Sequence, residues 1–449
     1  EAKGFGRTNE SFTPKQVRQV KLPAWARNVT KLRPIAAAEM QPTDMILKNG
    51  MRLIVETTRT SEAITLYGHV KNNPGLEELP GKEGISEVLG DLFSYGSKNM
   101  DRLAFHSALD EIGAEAELGT SFSLQVMKEH FGRGVSLIAD NLLHPAFPDE
   151  AFNIVQQETS SLLAGQEKSP KWLVSRALTT ALYPKDDPSL RYPRPETVDK
   201  LTLADVQEHY HRVFRPDLTT IVVVGNIAPE EAKTVVEQYF GGWKAEGPKP
   251  EIEFQPTPEN KSMAVVVPNT SRVQDEVRLA QTLGLTRSDP DYYALQTGLH
   301  VLTGAFYATR LYHDLRETNG LVYAVDAFFD VGKIRSLFEV YYGCNPGNVS
   351  KAQAIIARDL ADMQISLVTS RELAQAKNLI VHQIVLSETS TSGIAQELIH
   401  LSQMDLPLDE PLRATRKYQD ITAEQVKAAF AKWIRPMGFV QITSGPEPH

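Results

Sequence analysis

The chain of 449 residues contains a single cysteine, Cys344. One thiol excludes an internal disulfide framework and any cysteine-based zinc site, and its default role is that of a small buried hydrophobe. No stretch approaches 18 consecutive apolar residues, so no membrane-spanning helix is expected. Basic residues are in deficit: 47 Lys and Arg against 56 Asp and Glu give a formal net charge of −9. That balance argues against nucleic acid as a partner. Histidine offers little either. His209 and His211 flank Tyr210 at i and i+2, which do not share a helix face, and the others are scattered; none reads as a metal ligand. The chain opens at Glu1 without a methionine and without a charged-then-apolar leader, which fits an exported, processed protein or a trimmed one. The expected compartment is the periplasm, with the cytoplasm as the alternative.

What is present is ordinary for a soluble globular protein: 41% hydrophobic and 23% charged residues. The length suits two domains, each able to bury its own core. Residues 1–44 are polar and irregular, with prolines at 14, 23, 34 and 42, and read as an N-terminal arm. The stretch GGWKAEGPKPEIEFQPTPEN (241–260) carries Pro248, Pro250, Pro256 and Pro258 and favours an extended connection. The expected organisation is an arm (1–44), a first domain (45–245), a proline-rich linker (246–260) and a second domain (261–449).

The two domains read as copies of one design. LTLADVQEHYHRVFRPDLTTIVVVGN (201–226) aligns without a gap with ITAEQVKAAFAKWIRPMGFVQITSGP (421–446). The alignment pairs Thr202 with Thr422, Val206 with Val426, Arg215 with Arg435, Pro216 with Pro436 and Gly225 with Gly445. Each copy predicts a threonine N-cap, an amphipathic helix, an Arg-Pro stop and an apolar strand ending in glycine. MILKNGMRLIVETT (45–58) predicts a hairpin turning at Asn49-Gly50, and SMAVVVP (262–268) a strand opening the second half. With long helical stretches between strands, each half is expected to be α+β, a mostly antiparallel sheet with helices packed on one face.

Chemistry is concentrated in two places. In GISEVLGDLFSYGS (84–97), Ile85, Val88, Leu89, Leu92 and Phe93 form one apolar helix face, leaving Glu87 and Asp91 one turn apart beside it. Two carboxylates without imidazole suit a hard cation such as Mg²⁺ or Ca²⁺ better than zinc, and they equally suit a solvated acidic face. Gly90 costs roughly 1 kcal/mol relative to alanine inside a helix, which points to a close approach or to relic sequence. In the second half, Leu311 and Leu315 lie on one face of a helix that Asn319-Gly320 should end by a left-handed cap. Leu321 to Val325 then runs as a strand. Arg316 in the last turn and Tyr323 early in the strand are thereby brought toward one edge, where guanidinium and phenol can donate to a peptide carbonyl. The plainer reading pairs Arg316 with a helix carboxylate and half-buries Tyr323.

The frame of the first stretch resembles the inverted zinc motif H-x-x-E-H of the pitrilysin/insulinase family, which includes the mitochondrial processing peptidases. Gly84, Leu89, Phe93 and Gly96-Ser97 are kept. The motif positions fall on Glu87, Val88, Leu89, Gly90 and Asp91, so both histidine positions are acidic and the general-base position is glycine. The family's third ligand, a later glutamate, matches the region of Glu158. Gly304, Thr309-Arg310-Leu311, Leu315-Arg316-Glu317, Gly320-Leu321 and Tyr323 are similar to the family's second signature, and LYPKDDPSLRYP (182–193) to another. The resemblance implies a chain that keeps the fold, binds no metal itself and has lost hydrolysis, which needs a metal-activated water and a base. It also implies that Arg316 and Tyr323 contact substrate opposite a zinc site. The expected function is therefore the non-zinc subunit of a heterodimeric metallopeptidase, whose homologous partner brings H-x-x-E-H and the zinc. Unfolded peptide is the expected substrate, added as a strand to a sheet edge. A non-enzymatic peptide-binding or scaffold protein is the alternative, and a peptidase using Glu87, Asp91 and Glu158 for an unusual metal a third.

Overall fold

The computed structural model describes residues 40–59, 61–304 and 309–446. Residues 1–39 of the expected arm lie outside them. The fold is α+β, as expected, and is built on two sheets. The first contains β1 (Thr43–Ile46), β2 (Arg52–Thr57), β3 (Ala63–Val70), β4 (Glu115–Glu117), β5 (Ser121–Met127) and β6 (Thr219–Gly225), in the order β1-β2-β6-β3-β5-β4. The second contains β7 (Met263–Pro268), β8 (Asp275–Leu283), β9 (Val322–Val331), β10 (Ser336–Cys344) and β11 (Val440–Gly445), in the order β7-β11-β8-β10-β9. Only β2–β6 and β7–β11 pair parallel, and the two orders superimpose strand for strand once β1 is set aside. The β1–β2 hairpin turns at Asn49-Gly50, where Gly50 takes φ +89°. Asn49 fastens the turn by donating its amide to the Phe240 carbonyl at 3.0 Å.

The 220-residue repeat is structural. Helix α5 (Leu203–Val213) is capped by Thr202 and its counterpart α13 (Ala423–Trp433) by Thr422, each closing a reciprocal box with the residue three further on. Between them the chain runs through α6 (Pro229–Phe240), α7 (Tyr292–Leu302), α8 (Arg310–Tyr312), α9 (Val349–Ile365), α10 (Ser370–Ser387), α11 (Thr391–Gln403) and α12 (Glu410–Asp420). Before α5 come α1 (Ile85–Leu92), α2 (Phe131–Leu143), α3 (Asp149–Gln166) and α4 (Pro170–Leu182). Helices of each half bury one face of their own sheet. In the first, Val88, Leu89 and Leu92 pack with Leu53, Leu66, Leu124 and Val223; in the second, Leu295, Ile356 and Phe430 pack with Leu279, Phe338 and Val340. Cys344 is fully buried in this second core.

The opposite faces are covered by exchange. Helix α4, from the first half, lays Val174, Leu178 and Leu182 against Ala280, Val440 and Ile442 of the second sheet. Helix α11, from the second half, lays Ala395, Leu398 and Leu401 against Ile54, Val222 and Val224 of the first. The central strands β6 and β11 are consequently buried along their whole length, β6 as a near-continuous apolar run from Ile221 and β11 with Gln441, Thr443 and Ser444 among its buried residues.

The proline-rich connection is pinned rather than loose. Arg215, 4% exposed, donates to the carbonyls of Glu246, Gly247 and Pro248 at 2.7, 3.1 and 2.9 Å. Its counterpart Arg435 donates to Asn260 Oδ1 at 2.9 Å. Arg335 donates to the Gln255 carbonyl at 2.6 Å and grips Asp187 through two bonds of 2.9 Å. Among the described residues no helix is long and apolar enough to cross a membrane.

Each buried aliphatic side chain at the exchanged helices is worth roughly 1.5–3 kcal/mol, and neither half can cover its own outer face. Urea unfolding of the chain, followed by far-UV and tryptophan signals, is expected to give one coincident transition. The fragments 40–245 and 261–446, expressed apart, are expected to aggregate; two independent transitions would contradict the interlock.

Candidate functional site

Helix α1 starts at Gly84 because nothing else fits. Its φ is +99°, and a Cβ there would stand 2.6 Å from the Val198 side chain. Buried Glu78 satisfies the open helix terminus by accepting from the Gly84 and Ser86 amides at 3.2 and 3.1 Å. The predicted apolar face is buried, and Phe93 joins Phe147, Tyr210 and Phe214 in an aromatic cluster. Glu87, Gly90 and Asp91 are turned away from that core, with both carboxylate residues exposed. Helix α3 packs against α1 and brings Glu158 into electrostatic range of Asp91.

The carboxylates along this row raise one another. Partial desolvation, and then the Asp91 charge, raise the Glu87 carboxyl above its ordinary range. Asp91 is raised by desolvation and then by Glu158, and Glu78 by burial and then by Glu87. These residues do not fit zinc. No imidazole stands among them, the base position has no side chain, and among the described residues no three His, Cys, Asp or Glu converge closely enough to hold a metal. The close-approach expectation for Gly90 fails: a Cβ there would meet nothing within 4 Å, so no packing reason keeps a glycine at the base position.

Sequence reasoning missed a buried polar network beneath α1. His209, 3% exposed on α5, places Nε2 3.2 Å from Ser86 Oγ and turns Nδ1 to Arg212 at 3.0 Å. Burial, then the Arg212 charge, push this imidazole down to about 3, so it is a neutral core group. Glu77 accepts from the Asn73 amide at 2.8 Å, while burial raises its carboxyl to about 7. The available signal was the Glu77-Glu78 pair just ahead of a helix start.

The second constellation forms as expected from the sequence. Helix α8 widens into a π-helical turn, His313–Thr318, with Leu311 and Leu315 fully buried. It ends at Gly320, φ +58°, where the Gly320 and Leu321 amides donate back to Arg316 and Leu315 at 3.1 and 2.8 Å. Strand β9 follows, at the edge of the second sheet. The Arg316 Cζ lies 5.3 Å from the centroid of the Tyr323 ring. It lies 5.0 Å from that of Tyr312, a buried tyrosine one turn earlier that the sequence reading passed over. Among the described residues no carboxylate pairs with Arg316, and Tyr323 is 73% exposed rather than half-buried. A guanidinium held by aromatic faces keeps its donors and its charge free for a ligand.

Residues 200–380, which run from α5 through the Arg316–Tyr323 corner, match the family described as the Peptidase M16 inactive domain. The chain is 25% identical over 364 residues to the uncharacterized zinc protease YmxG of Bacillus subtilis (strain 168), covering 77% of this chain and 84% of that one. It is 23% identical over 366 residues to the probable inactive metalloprotease YmfF of the same organism, covering 80% and 84%. The crystal structure of a peptidase M16 inactive domain from Pseudomonas fluorescens superimposes with a TM-score of 0.80 at 22% identity, over 91% of this chain and 98% of that one.

Two outcomes follow for the helix-α1 region. Gly90→Ala is expected to stabilise the chain by about 0.5–1 kcal/mol, read as a higher urea midpoint at unchanged slope; destabilisation would mean a close contact forms there in solution. Glu77, raised from 4.5 to about 7, takes up a proton on folding in that window, so its contribution to stability is lost as pH rises through it. Relative to the native chain, Glu77→Gln is therefore expected to gain stability progressively from about pH 4.5 and level off above 7. Parallel pH profiles would contradict the assignment.

Proposed function

From the premise that the chain carries a peptidase M16 inactive domain, we propose that it is the non-zinc subunit of a two-chain metallopeptidase, presenting peptide to a homologous H-x-x-E-H partner. The observation that carries this reading is the asymmetry between its two sites. The helix that would bind the metal has neither imidazole nor base, while the Arg316–Tyr323 corner keeps a guanidinium with no carboxylate partner among the described residues beside an exposed phenol at a sheet edge. A pure scaffold has no need to hold a charged donor uncompensated there.

In this reading the metal and the hydrolytic step belong to the partner. An extended peptide lies against this chain with one carbonyl toward the corner. Arg316 and Tyr323 donate to that oxygen, fixing the carbonyl and stabilising the negative charge that builds on it. Main-chain recognition at a strand edge makes the substrate an unfolded peptide of loose sequence requirement. Tyr312, below the guanidinium, holds it in place. The periplasm is the proposed compartment.

Arg316→Ala in the reconstituted pair is expected to reduce peptide hydrolysis by about 10²–10³-fold, mostly in kcat, as for loss of one oxyanion donor. The isolated chain, with or without added zinc, is expected to hydrolyse nothing. Full activity of the Arg316→Ala pair would overturn the clamp.

A further inference from the structure

Arginines stacked on aromatic rings recur in this chain, and two of them, Arg287 and Arg335, are neutralised. Arg287 lies 3.9 Å over the Tyr292 ring and pairs with Glu410 at 3.1 Å. Arg335 lies 4.3 Å over Phe254 and pairs with Asp187 at 2.9 Å. Such pairs are complete without a ligand. Arg316 differs, as described. Arg102, 5.3 Å over Tyr95, is unpaired but stands alone and exposed at the start of a helix.

A third place has two unpaired guanidinia on one ring. Arg176, on α4, lies 4.0 Å from the centroid of the Tyr192 ring, and Arg194 lies 4.6 Å from the same centroid. Trp172 meets that ring edge-on at 5.4 Å and fixes its plane. Among the described residues neither guanidinium has a carboxylate partner. Burial lowers the Arg176 pKa; Tyr192 opposes that shift and the Arg194 charge adds to it. Arg176 also lines an open cavity of about 550 Å³ with Lys185, Asp186 and Arg191. Arg191 is paired with Glu83, and Asp187 on the same wall with Arg335, so neither neutralises the pair. The segment is tied to helix α1: Pro193 packs against Gly84, the residue that caps that helix, so closely that a Cβ on Gly84 would stand 3.0 Å from its ring.

No ion pair closes on either guanidinium among the described residues, and Asp186, which shares the Arg176 cavity, pairs with neither. We propose that Arg176, Tyr192 and Arg194 form an anion subsite that takes a carboxylate of the bound peptide, its C-terminus or an acidic side chain. The proposal rests on the peptide-handling reading of the chain. Guanidinium forks match carboxylate geometry, and the aromatic faces hold both forks in place before the ligand arrives. The subsite adds a preference for acidic peptides to an otherwise main-chain mode of recognition.

The test is calorimetric titration of the full chain with three octapeptides of one alanine-based sequence. The first is acetylated and amidated, the second acetylated with a free C-terminus, and the third capped at both ends with a central glutamate; inorganic phosphate is titrated separately. At least one carboxylate peptide is expected to bind about tenfold tighter than the neutral one, and whichever does so identifies the source of the anion. In Arg176→Gln/Arg194→Gln that ratio is expected to fall to near one. Should the double variant lose its far-UV signal, Arg194→Gln alone, at an exposed position, is expected to reduce the ratio. Equal binding of all three peptides, no binding at all, or a ratio that survives the variants would overturn the subsite. Arginine-dependent binding of phosphate without peptide preference would overturn the peptide assignment. Arg316→Ala separates the two readings: the clamp predicts that it weakens all three peptides alike and leaves the ratio intact, whereas a failed clamp leaves all affinities unchanged.

Discussion

A strand buried on both faces needs two covers, and in this chain each half supplies only one to itself. β6 and β11 are buried throughout, and each receives its second cover from a helix that belongs to the other half. Everything else follows from that exchange. The connection must run extended between the halves, and the duplicated arginines Arg215 and Arg435 fasten it at either end. The two sites are then carried on a single interlocked body.

Much of this was legible because it is encoded locally. Threonine caps, Arg-Pro stops and strands ending in glycine at a 220-residue offset make the repeat legible in the sequence. The Asn319-Gly320 cap placed Arg316 next to Tyr323, since a left-handed stop followed by a strand allows little else. What could not be read depends on contacts across the chain. Helices α4 and α11 have apolar stripes, Val174-Leu178-Leu182 and Ala395-Leu398-Leu401, but a stripe does not name the surface it covers. The same limit hid the pairing of Arg176 with Arg194, which are separated by 18 positions and meet over a tyrosine in an irregular segment. Gly90 was readable as an anomaly, and the structure removes packing as its reason.

Charge pairing divides the molecule into finished and unfinished parts. Arg215–Asp217, Arg287–Glu410 and Arg335–Asp187 are buried or nearly so and closed by their partners. Such pairs fix geometry more than they add stability. The acidic row of Glu78, Glu87, Asp91 and Glu158, the Arg316 corner and the Tyr192 cations are left open. On the proposed reading, the acidic row on α1 and the open cations elsewhere belong to a surface that a partner completes.

The central claim is that this outside component is a homologous zinc subunit. The most direct measurement is gentle purification of the tagged chain from its native cell, with the co-purifying polypeptides identified by mass spectrometry and zinc quantified in the complex. The account predicts one homologous chain bearing H-x-x-E-H in equal amount, with about one zinc per pair. Recovery of the chain alone, or with unrelated proteins and no zinc, would contradict it.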